Sequence, residues 1–269
     1  MLRVRVCIYR EEEKYQEEEE TRLLNRQLNK MTTVSTEVKG DKSERRLRVL
    51  CLHGFRTSGE IIKKQLTNKW SESVLQKMDL VFVNGPFPCR GESRVEGIFD
   101  PPYYEWFAYN EDFTEYQDFD ECLDYIEDCM VQYGPFDGLL GFSQGGILSA
   151  ALPGLQANGV ALTKVPEIKF VVIIGAGKFQ KRSVAEKSYP APAQCKSVHF
   201  IGATDFLNPY SIALLNEFVD PVVIHHPKGH TFPRFDEKSL KTMLGFLDKL
   251  LEEIKGVGEQ EMEANNTEE

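Results

Sequence analysis

Short runs of apolar residues recur through the middle of the chain, and they constrain its fold more than any other feature. They occupy residues 47–52, 80–83, 139–142, 170–174, 198–201 and 222–224. The runs lack the polar alternation of a strand with one solvated face, so each is predicted to be a strand buried on both faces. Such strands belong to a parallel sheet inside an α/β protein.

Segments with helical spacing separate these runs. Before residues 139–142, apolar side chains fall three or four positions apart, and the same spacing fills residues 240–254. Strands buried on both faces and separated by helices form a sheet covered on both sides. The chain is therefore predicted to have an α/β fold with a mainly parallel sheet of about six strands and helices on both faces.

Charged segments flank this predicted domain, which covers residues 46–254. Residues 1–45 are rich in charge and have little apolar periodicity, so we expect a disordered N-terminal extension. Met31 is a possible alternative start of translation, and endogenous peptides from residues 1–30 would refute that hypothesis. Residues 255–269 read as an acidic tail. A chain of 269 residues that is 41% hydrophobic suits one globular domain.

Charge and cysteine content exclude several function classes. The net charge of -10 and the sequence pI of about 5.2 disfavour nucleic acid as a partner. The six cysteines have no CxxC spacing, which favours free thiols and a cytoplasmic location, with the nucleus as an alternative. No apolar stretch reaches the roughly 18 residues of a membrane helix, so no span is expected. The sequence does not predict the oligomeric state.

A serine stands where a predicted strand gives way to a helical pattern that is expected to end at Pro153. Residues 141–145, GFSQG, match the G-x-S-x-G pattern of a nucleophile turn centred on Ser143. A side chain two positions before or after this serine would strike the neighbouring strand or helix, which explains Gly141 and Gly145. The alternative is a serine that only caps the helix.

A serine hydroxyl needs a nearby base to become a nucleophile, and His230 is the predicted base. It lies in the loop after the last strand, where Gly229 lets the backbone turn. His199 lies within a strand and is predicted to be a core residue. His225 and His226 have no cysteine or carboxylate ligands beside them, so no metal site is predicted.

Asp205 is the predicted acid that orients this base. It follows the strand at 198–201 in the stretch GATDF, and it is preferred over Asp220 and Asp236. Its alternative role is a helix cap, but Asn208, which precedes Pro209, suits that role better.

Two backbone N–H groups are predicted to stabilise the oxyanion of the tetrahedral intermediate. Gln144 follows the serine at a helix start, where the dipole favours negative charge. Phe55 follows the first strand in LCLHGFRTSGE. His53, in the same loop, is predicted to be a structural hydrogen-bonding residue rather than a second base.

Residues 86–116 are too long and too aromatic for a simple connection. They form either a flap that buries its own rings or a wall of the substrate site, and both can hold. Trp106 and Phe107 from this segment, with Phe179 from a later loop, are the candidate substrate contacts for an apolar acyl group. Residues 111–128 hold nine carboxylates, which form a solvated helix face or, at the cleft, would disfavour anionic substrates.

The set of motifs resembles one family. LCLHGFRTSGE, VNGP, FDPPYYEWF, GFSQGG, GATDF and GHTFPR together resemble the FSH family of serine hydrolases, a branch of the α/β-hydrolase superfamily. The resemblance covers about residues 46–254. It implies the triad Ser143, Asp205 and His230 and hydrolysis of carboxylic esters without a cofactor.

Two other functions fit the same residues. GFSQGG also occurs in acyl-protein thioesterases, so acyl-proteins or acyl carriers are alternative substrates. A hydrolase fold can also serve as a non-catalytic receptor or scaffold. The expected ligand in the main prediction is a small-molecule ester or thioester.

Overall fold

The structure, a computed structural model, describes residues 45–266, with side chains through residue 256. The predicted N-terminal extension and Met31 lie outside the described residues, except for Arg45.

A parallel sheet of six strands forms the centre of the molecule, in the order β10-β9-β8-β7-β1-β2. The strands are β1 (Leu47–Leu52), β2 (Met78–Val83), β7 (Gly138–Phe142), β8 (Phe170–Ile174), β9 (Lys196–Gly202) and β10 (Val222–His226). Every pairing between neighbours is parallel. All six predicted strands are confirmed, and so is the α/β-hydrolase fold class.

Helices cover both faces of this sheet, as predicted. They are α1 (Gly59–Thr67), α2 (Glu72–Leu75), α3 (Phe119–Tyr133), α4 (Gln144–Ala157), α5 (Arg182–Ser188), α6 (Asn208–Leu214) and α7 (Glu237–Asn266). Alternate residues of β1 serve two cores: Leu50 and Leu52 pack with α3 and α4, whereas Val49 and Cys51 pack with α1 and α7. The strands are therefore buried on both sides because each face has its own layer of helices.

The strand order places a crevice at the carboxyl ends of β1 and β7. From β1 the chain moves outward to β2, and from β7 it builds the other half of the sheet through β8, β9 and β10. Loops that leave two adjacent strands in opposite directions open a cleft between them, which is the usual ligand position in such sheets. The loops after β1 and β7 are the ones that hold Phe55 and Ser143.

Two helices run longer than predicted. Helix α4 continues through Pro153 to Ala157, although proline removes a helix hydrogen bond at a cost of about 3 kcal/mol. The continuation buries Leu155 in the core, which offsets part of that cost. Helix α7 continues to Asn266, into the segment predicted as a tail. Glutamate, glutamine, methionine and alanine in that segment are good helix formers.

The aromatic segment folds into two small antiparallel pairs that the sequence did not predict. They are β3 (Phe87–Pro88) with β4 (Tyr104–Glu105), and β5 (Ala108–Tyr109) with β6 (Tyr116–Gln117). Within the described chain, no helix is both long and apolar enough to cross a membrane. The five cysteines between residues 45 and 256 are free thiols, as expected.

Candidate active site

Ser143 occupies the turn between β7 and α4 in a backbone conformation that few residues adopt. Its φ is 55° and its ψ is -117°, and its N–H donates to the Ile174 carbonyl at 3.0 Å. A Cβ at Gly141 would strike the Gly145 carbonyl, and one at Gly145 would strike the Leu52 carbonyl. The predicted steric need for both glycines is confirmed. The hydroxyl of Ser143 is consequently held out at the carboxyl edge of the sheet.

Asp205 and His230 meet directly at the same edge. Nδ1 of His230 lies 2.9 Å from Oδ2 and 3.1 Å from Oδ1 of Asp205. The Asp205 side chain is only 2% exposed, whereas that of His230 is 20% exposed. A neutral imidazole that donates its Nδ1 proton to a carboxylate keeps a free lone pair on Nε2. The pair therefore has the arrangement of a general base held by an acid.

Asp205 also has the turn contact that sequence reasoning assigned to Asn208. Oδ1 of Asp205 accepts the Leu207 N–H at 2.8 Å, which fixes the carboxylate at the start of the next helix. Asn208 is the first residue of α6, and its side-chain amide donates to the Gly202 carbonyl at 2.8 Å. The prediction of Asn208 as the cap is wrong, because its side chain ties the helix back to β9 instead.

Gly175 links Ser143 to this pair. It follows Ile174, the residue whose carbonyl binds the Ser143 N–H, and its φ is +55°. A Cβ at Gly175 would lie 2.9 Å from Oδ2 of Asp205 and 3.1 Å from Nδ1 of His230. Beside the serine, the Phe142 ring stacks on the imidazole of His230 with centroids 4.8 Å apart. The three predicted catalytic residues thus border one small region.

The last link of the predicted triad is not formed in this structure. Among the hydrogen bonds of the described residues, none joins the Ser143 hydroxyl to His230. Such bonds are often long in unliganded enzymes and shorten when substrate binds. The triad remains a prediction at this point, with its acid–base half assembled.

His53 fixes the loop that follows β1, as predicted. The Gly85 N–H donates to Nε2 of His53 at 2.8 Å, so Nε2 is an acceptor and Nδ1 holds the proton that goes to the Gly54 carbonyl, also at 2.8 Å. Burial lowers the pKa of His53 to about 4, and the bond to Gly54 opposes that shift. His53 is consequently neutral and fully bonded at neutral pH.

The two predicted oxyanion donors lie in the loops that follow β1 and β7, which are neighbouring strands. Neither the Phe55 N–H nor the Gln144 N–H donates to an acceptor among the described residues. The Gly145 N–H donates to the His53 carbonyl at 3.1 Å, so the start of α4 is tied to the loop of Phe55. Both N–H groups are available to a ligand, and their role as an oxyanion hole stays a prediction.

The side chain of Gln144 has a role that sequence reasoning missed. Its Oε1 accepts the Trp106 N–H at 3.2 Å and its Nε2 donates to the Phe107 carbonyl at 2.8 Å. Trp106 in turn donates its indole N–H to the His53 carbonyl at 2.9 Å. The sequence signal for this role was a glutamine directly after the serine. Gln144 thereby positions the aromatic segment against the serine turn.

The three predicted substrate contacts lie inside the core. Trp106, Phe107 and Phe179 are at most 2% exposed. Phe107 and Phe179 pack on each other with centroids 5.7 Å apart, among other rings of the same cluster. This placement corresponds to the flap that buries its own rings, so in this structure the three side chains pack within the core.

Other rings are exposed near the site. Phe206 is 59% exposed, and its ring lies 4.7 Å from the imidazole of His230. Phe55 and Tyr109 pack together at 4.7 Å, and Phe113, 47% exposed, continues that stack. Phe206 directly follows Asp205 in the sequence, but nothing in the sequence indicated that its ring would be exposed.

The remaining histidines do not form a second site. His199 is 2% exposed and bonds Ser197, and burial lowers its pKa to about 4, so its prediction as a core residue is confirmed. Burial also lowers the pKa of His226, whose buried Nδ1 has no partner among the described side chains. No cluster of three metal-ligating side chains occurs in the part of the chain that the structure describes.

Ion pairs neutralise part of the acidic run at 111–128. Glu115 pairs with Lys181, Asp118 with Arg90 and Glu127 with Lys164. Glu127 is also buried, and it accepts the Lys164 N–H at 2.9 Å. These three carboxylates are structural and do not form one open acidic face.

A family of known proteins matches most of this chain. The family model described as Serine hydrolase (FSH1) matches residues 43–242. The chain belongs to the FSH1 serine hydrolase family. The match begins just before β1 and ends within α7, so it contains every candidate site residue.

Two relatives and one solved structure illustrate what this chain is similar to. An esterase of Anopheles gambiae is 33% identical over 201 residues, which are 71% of this chain and 73% of that protein. Esterase OVCA2 of Xenopus tropicalis is 30% identical over 234 residues, which are 81% of this chain and 99% of that protein. The crystal structure of Zea mays acyl-protein thioesterase 2 has a TM-score of 0.52 at 17% identity, and it covers 80% of this chain and 97% of that chain. The last likeness shows a shared fold.

Proposed function

We propose that this serine hydrolase cleaves carboxylic esters through an acyl-enzyme formed on Ser143, with His230 as the base and Asp205 as the orienting acid. The observation that carries the proposal is the bond of 2.9 Å between Nδ1 of His230 and Oδ2 of Asp205, beside a serine in a strained turn. Family membership supports hydrolysis, and relatives of the chain are named esterases.

The reaction has two acyl transfers. Nε2 of His230 takes the proton of the Ser143 hydroxyl as its oxygen bonds to the ester carbonyl carbon. Asp205 holds the imidazole in the tautomer with Nδ1 protonated, and it stabilises the imidazolium that forms. The bond to the leaving alcohol then breaks, and that oxygen receives the proton from His230. His230 next deprotonates a water whose oxygen bonds to the acyl carbon, and it returns that proton to the Ser143 oxygen as the acyl–serine bond breaks and the acid is released.

The N–H groups of Phe55 and Gln144 are the donors in this proposal for the oxyanion of each tetrahedral intermediate. A lost oxyanion donor typically costs about 10² to 10³ in turnover. Their supports differ: the Phe55 loop is held by His53, and Gln144 begins α4. The exposed ring of Phe206 and the partly buried ring of Phe55 favour an apolar group next to the scissile bond.

Labelling by a fluorophosphonate tests the nucleophile. We expect the wild-type protein to be labelled and Ser143→Ala to be inert, with kcat/KM for a p-nitrophenyl ester lowered by at least about 10³-fold. Ser183→Ala, which changes an exposed serine of α5, is the matched control and should label like the parent. Labelling that survives in Ser143→Ala would refute the mechanism.

Matched substrates test the bond that is cleaved. Esters and thioesters of the same acyl groups, from two to sixteen carbons, should show higher kcat/KM for the ester series. Faster turnover of the thioesters would favour the thioesterase alternative. A parent protein that is not labelled and hydrolyses neither series, yet binds the esters, would favour the receptor alternative.

A further inference from the structure

Arg94 is held beside the loop of the candidate oxyanion donor. The hydroxyl of its buried neighbour Ser93 donates to the Arg56 carbonyl at 2.6 Å, and the Val95 N–H donates to that same hydroxyl at 3.3 Å. Arg56 directly follows Phe55. The backbone around Arg94 is thus attached to the loop that borders the serine.

The side chain of Arg94 extends to the other wall of the site. Its guanidinium carbon lies 5.9 Å from the centroid of the Phe206 ring, within the range of a cation–π contact. The Phe206 ring lies 4.7 Å from the imidazole of His230. One exposed ring therefore separates the positive charge of Arg94 from the candidate base.

Arg94 differs from the two other arginines of this region in its charge balance. Arg56 and Arg90 both pair with the buried carboxylate of Glu105. Arg94 is exposed and forms no ion pair with a carboxylate in the described part of the chain. The pKa of Tyr109 is raised by burial, and the positive charges of both Arg56 and Arg94 oppose that rise. The two cations therefore both lie near Tyr109.

The position of the base determines which half of a substrate meets this charge. Nε2 of His230 must deliver its proton to the leaving oxygen or sulfur, so the leaving group departs along the imidazole. The Phe206 ring packs beside that imidazole, and the Arg94 guanidinium lies beside the Phe206 ring. The acyl half is bonded to the carbonyl carbon at Ser143 and extends away from the atom that receives the proton.

We propose that Arg94 selects substrates whose leaving group carries a carboxylate or a phosphate, with Phe206 supporting the guanidinium. The proposal rests on the proposed ester hydrolysis and names the substrate class of that site. In a chain with a net charge of -10, such a substrate would otherwise meet repulsion over most of the surface. An unpaired cation at the mouth reverses the sign of the field where the leaving group enters.

A pair of esters with one acyl group and similarly shaped leaving groups tests the charge. The butyrate esters of 3-hydroxybenzoate and 3-hydroxybenzamide are compared by kcat/KM in the wild type and in Arg94→Gln. We expect the anionic-to-neutral ratio to fall about threefold to fivefold in Arg94→Gln, the size of an exposed ion pair. Arg94→Lys should restore most of the ratio, and about 0.5 M NaCl should reduce the difference by screening.

Lys196→Gln is the matched control. Lys196 is the first residue of β9, so it lies at the amino end of the strands, whereas the candidate site lies at their carboxyl ends. It removes one positive charge and should leave the ratio unchanged. An equal fall in Lys196→Gln would mean that net charge, not Arg94, sets the preference, and it would overturn the proposal. An unchanged ratio in Arg94→Gln would do the same.

Two further comparisons locate the charge and identify its chemistry. In mono-p-nitrophenyl glutarate the carboxylate is on the acyl half, and p-nitrophenyl pentanoate is its neutral counterpart. If Arg94→Gln lowers the anionic-to-neutral ratio more for this pair than for the hydroxybenzoate pair, the assignment to the leaving group is overturned. The butyrate ester of 3-hydroxyphenyl phosphate, measured beside the carboxylate ester, shows which anion Arg94 prefers.

Binding without turnover keeps the test independent of the proposed reaction. The 3-hydroxybenzoate and 3-hydroxybenzamide esters are titrated by NMR into Ser143→Ala and into Ser143→Ala with Arg94→Gln. Tighter binding of the anionic ester that disappears with Arg94→Gln supports the charge site even if the parent hydrolyses neither ester. Equal binding of both esters by Ser143→Ala would refute it.

Discussion

At the scale of single residues, the site depends on glycines that leave room for catalytic side chains. Gly141 and Gly145 permit the serine turn, and Gly175 permits the approach of Asp205 and His230. Gly175 combines a left-handed backbone with the closest approach to the acid–base pair. Gly175 follows β8, and it lies against Asp205 and His230, which are in the loops after β9 and β10.

Gly175→Ala should therefore lower activity more than stability. The new Cβ would lie 2.9 Å from Oδ2 of Asp205, so Asp205 or His230 must move. We expect kcat/KM to fall about 10- to 100-fold, since misplacement by about 1 Å can cost that much, and the free energy of unfolding to fall by about 1 to 2 kcal/mol.

Gly159→Ala is the control for this substitution. Gly159 has a φ of +65° and no atom within 4 Å of an added Cβ, so it has the same backbone strain without the collision. Urea unfolding should show a similar loss of stability in both variants, and ester hydrolysis should fall only in Gly175→Ala. Full activity of Gly175→Ala would show that the pair tolerates the added methyl group.

At the scale of elements, two buried polar side chains, Glu105 and Gln144, hold the aromatic segment in place. Glu105 is fully buried, and its Oε1 accepts Nε–H of Arg56 at 2.8 Å and the Arg90 N–H at 3.0 Å. Gln144 binds the next two residues from the serine turn. The segment is anchored on the same two loops that form the candidate site.

Glu105→Gln should loosen this segment. The neutral amide keeps the volume but loses the charge that two arginines share, and we expect a loss of about 2 kcal/mol in the free energy of unfolding. Hydrogen exchange should accelerate in residues 86–117 before it does in the sheet. Glu186→Gln, in an exposed pair with Arg182, is the control and should change stability by less than about 0.5 kcal/mol. Uniform exchange across the protein would contradict a local anchor.

The elements that could be predicted from the sequence are those with a long periodic pattern. All six strands of the central sheet, α3 and α7 follow from apolar spacing. The four strands of the aromatic segment have two residues each, which is too short for any period. The continuation of α4 past Pro153 was not predicted, because burial of its last turn, a tertiary effect, outweighs local propensity.

The candidate site was predictable where position along a strand determines chemistry. Asp205 and His230 were placed by the rule that such residues follow strand ends, and the structure joins them. The sequence left the burial of Trp106 open because it depends on how a long connection folds back, and the exposure of Phe206, in the short loop between β9 and α6, was not predicted. The side-chain bonds of Gln144 depend on the same packing.

At the scale of the whole molecule, buried histidines couple stability to pH. Burial lowers the pKa of His53 and of His199 to about 4, from 6.5. The unfolded chain therefore binds protons that the folded chain excludes, and stability falls as the pH drops from about 6.5 to about 4. Each histidine contributes a slope of roughly 1 to 1.5 kcal/mol per pH unit in that window.

Urea unfolding between pH 7 and pH 5.5 should reveal this slope. His199→Gln removes one of these groups and should reduce the loss of stability across that interval, whereas His225→Gln, at an exposed position on β10, should not. Equal slopes in His199→Gln and the parent would refute a role for His199 in the acid sensitivity.

The strand order also has a consequence for the nascent chain on the ribosome. Synthesis proceeds from the N-terminus, and the loop with His230 follows β10, the outermost strand of one side of the sheet. A nascent chain therefore presents Ser143 well before it has either partner. In the proposed mechanism, efficient hydrolysis therefore begins only after the loop with His230 has been made and has folded against β9.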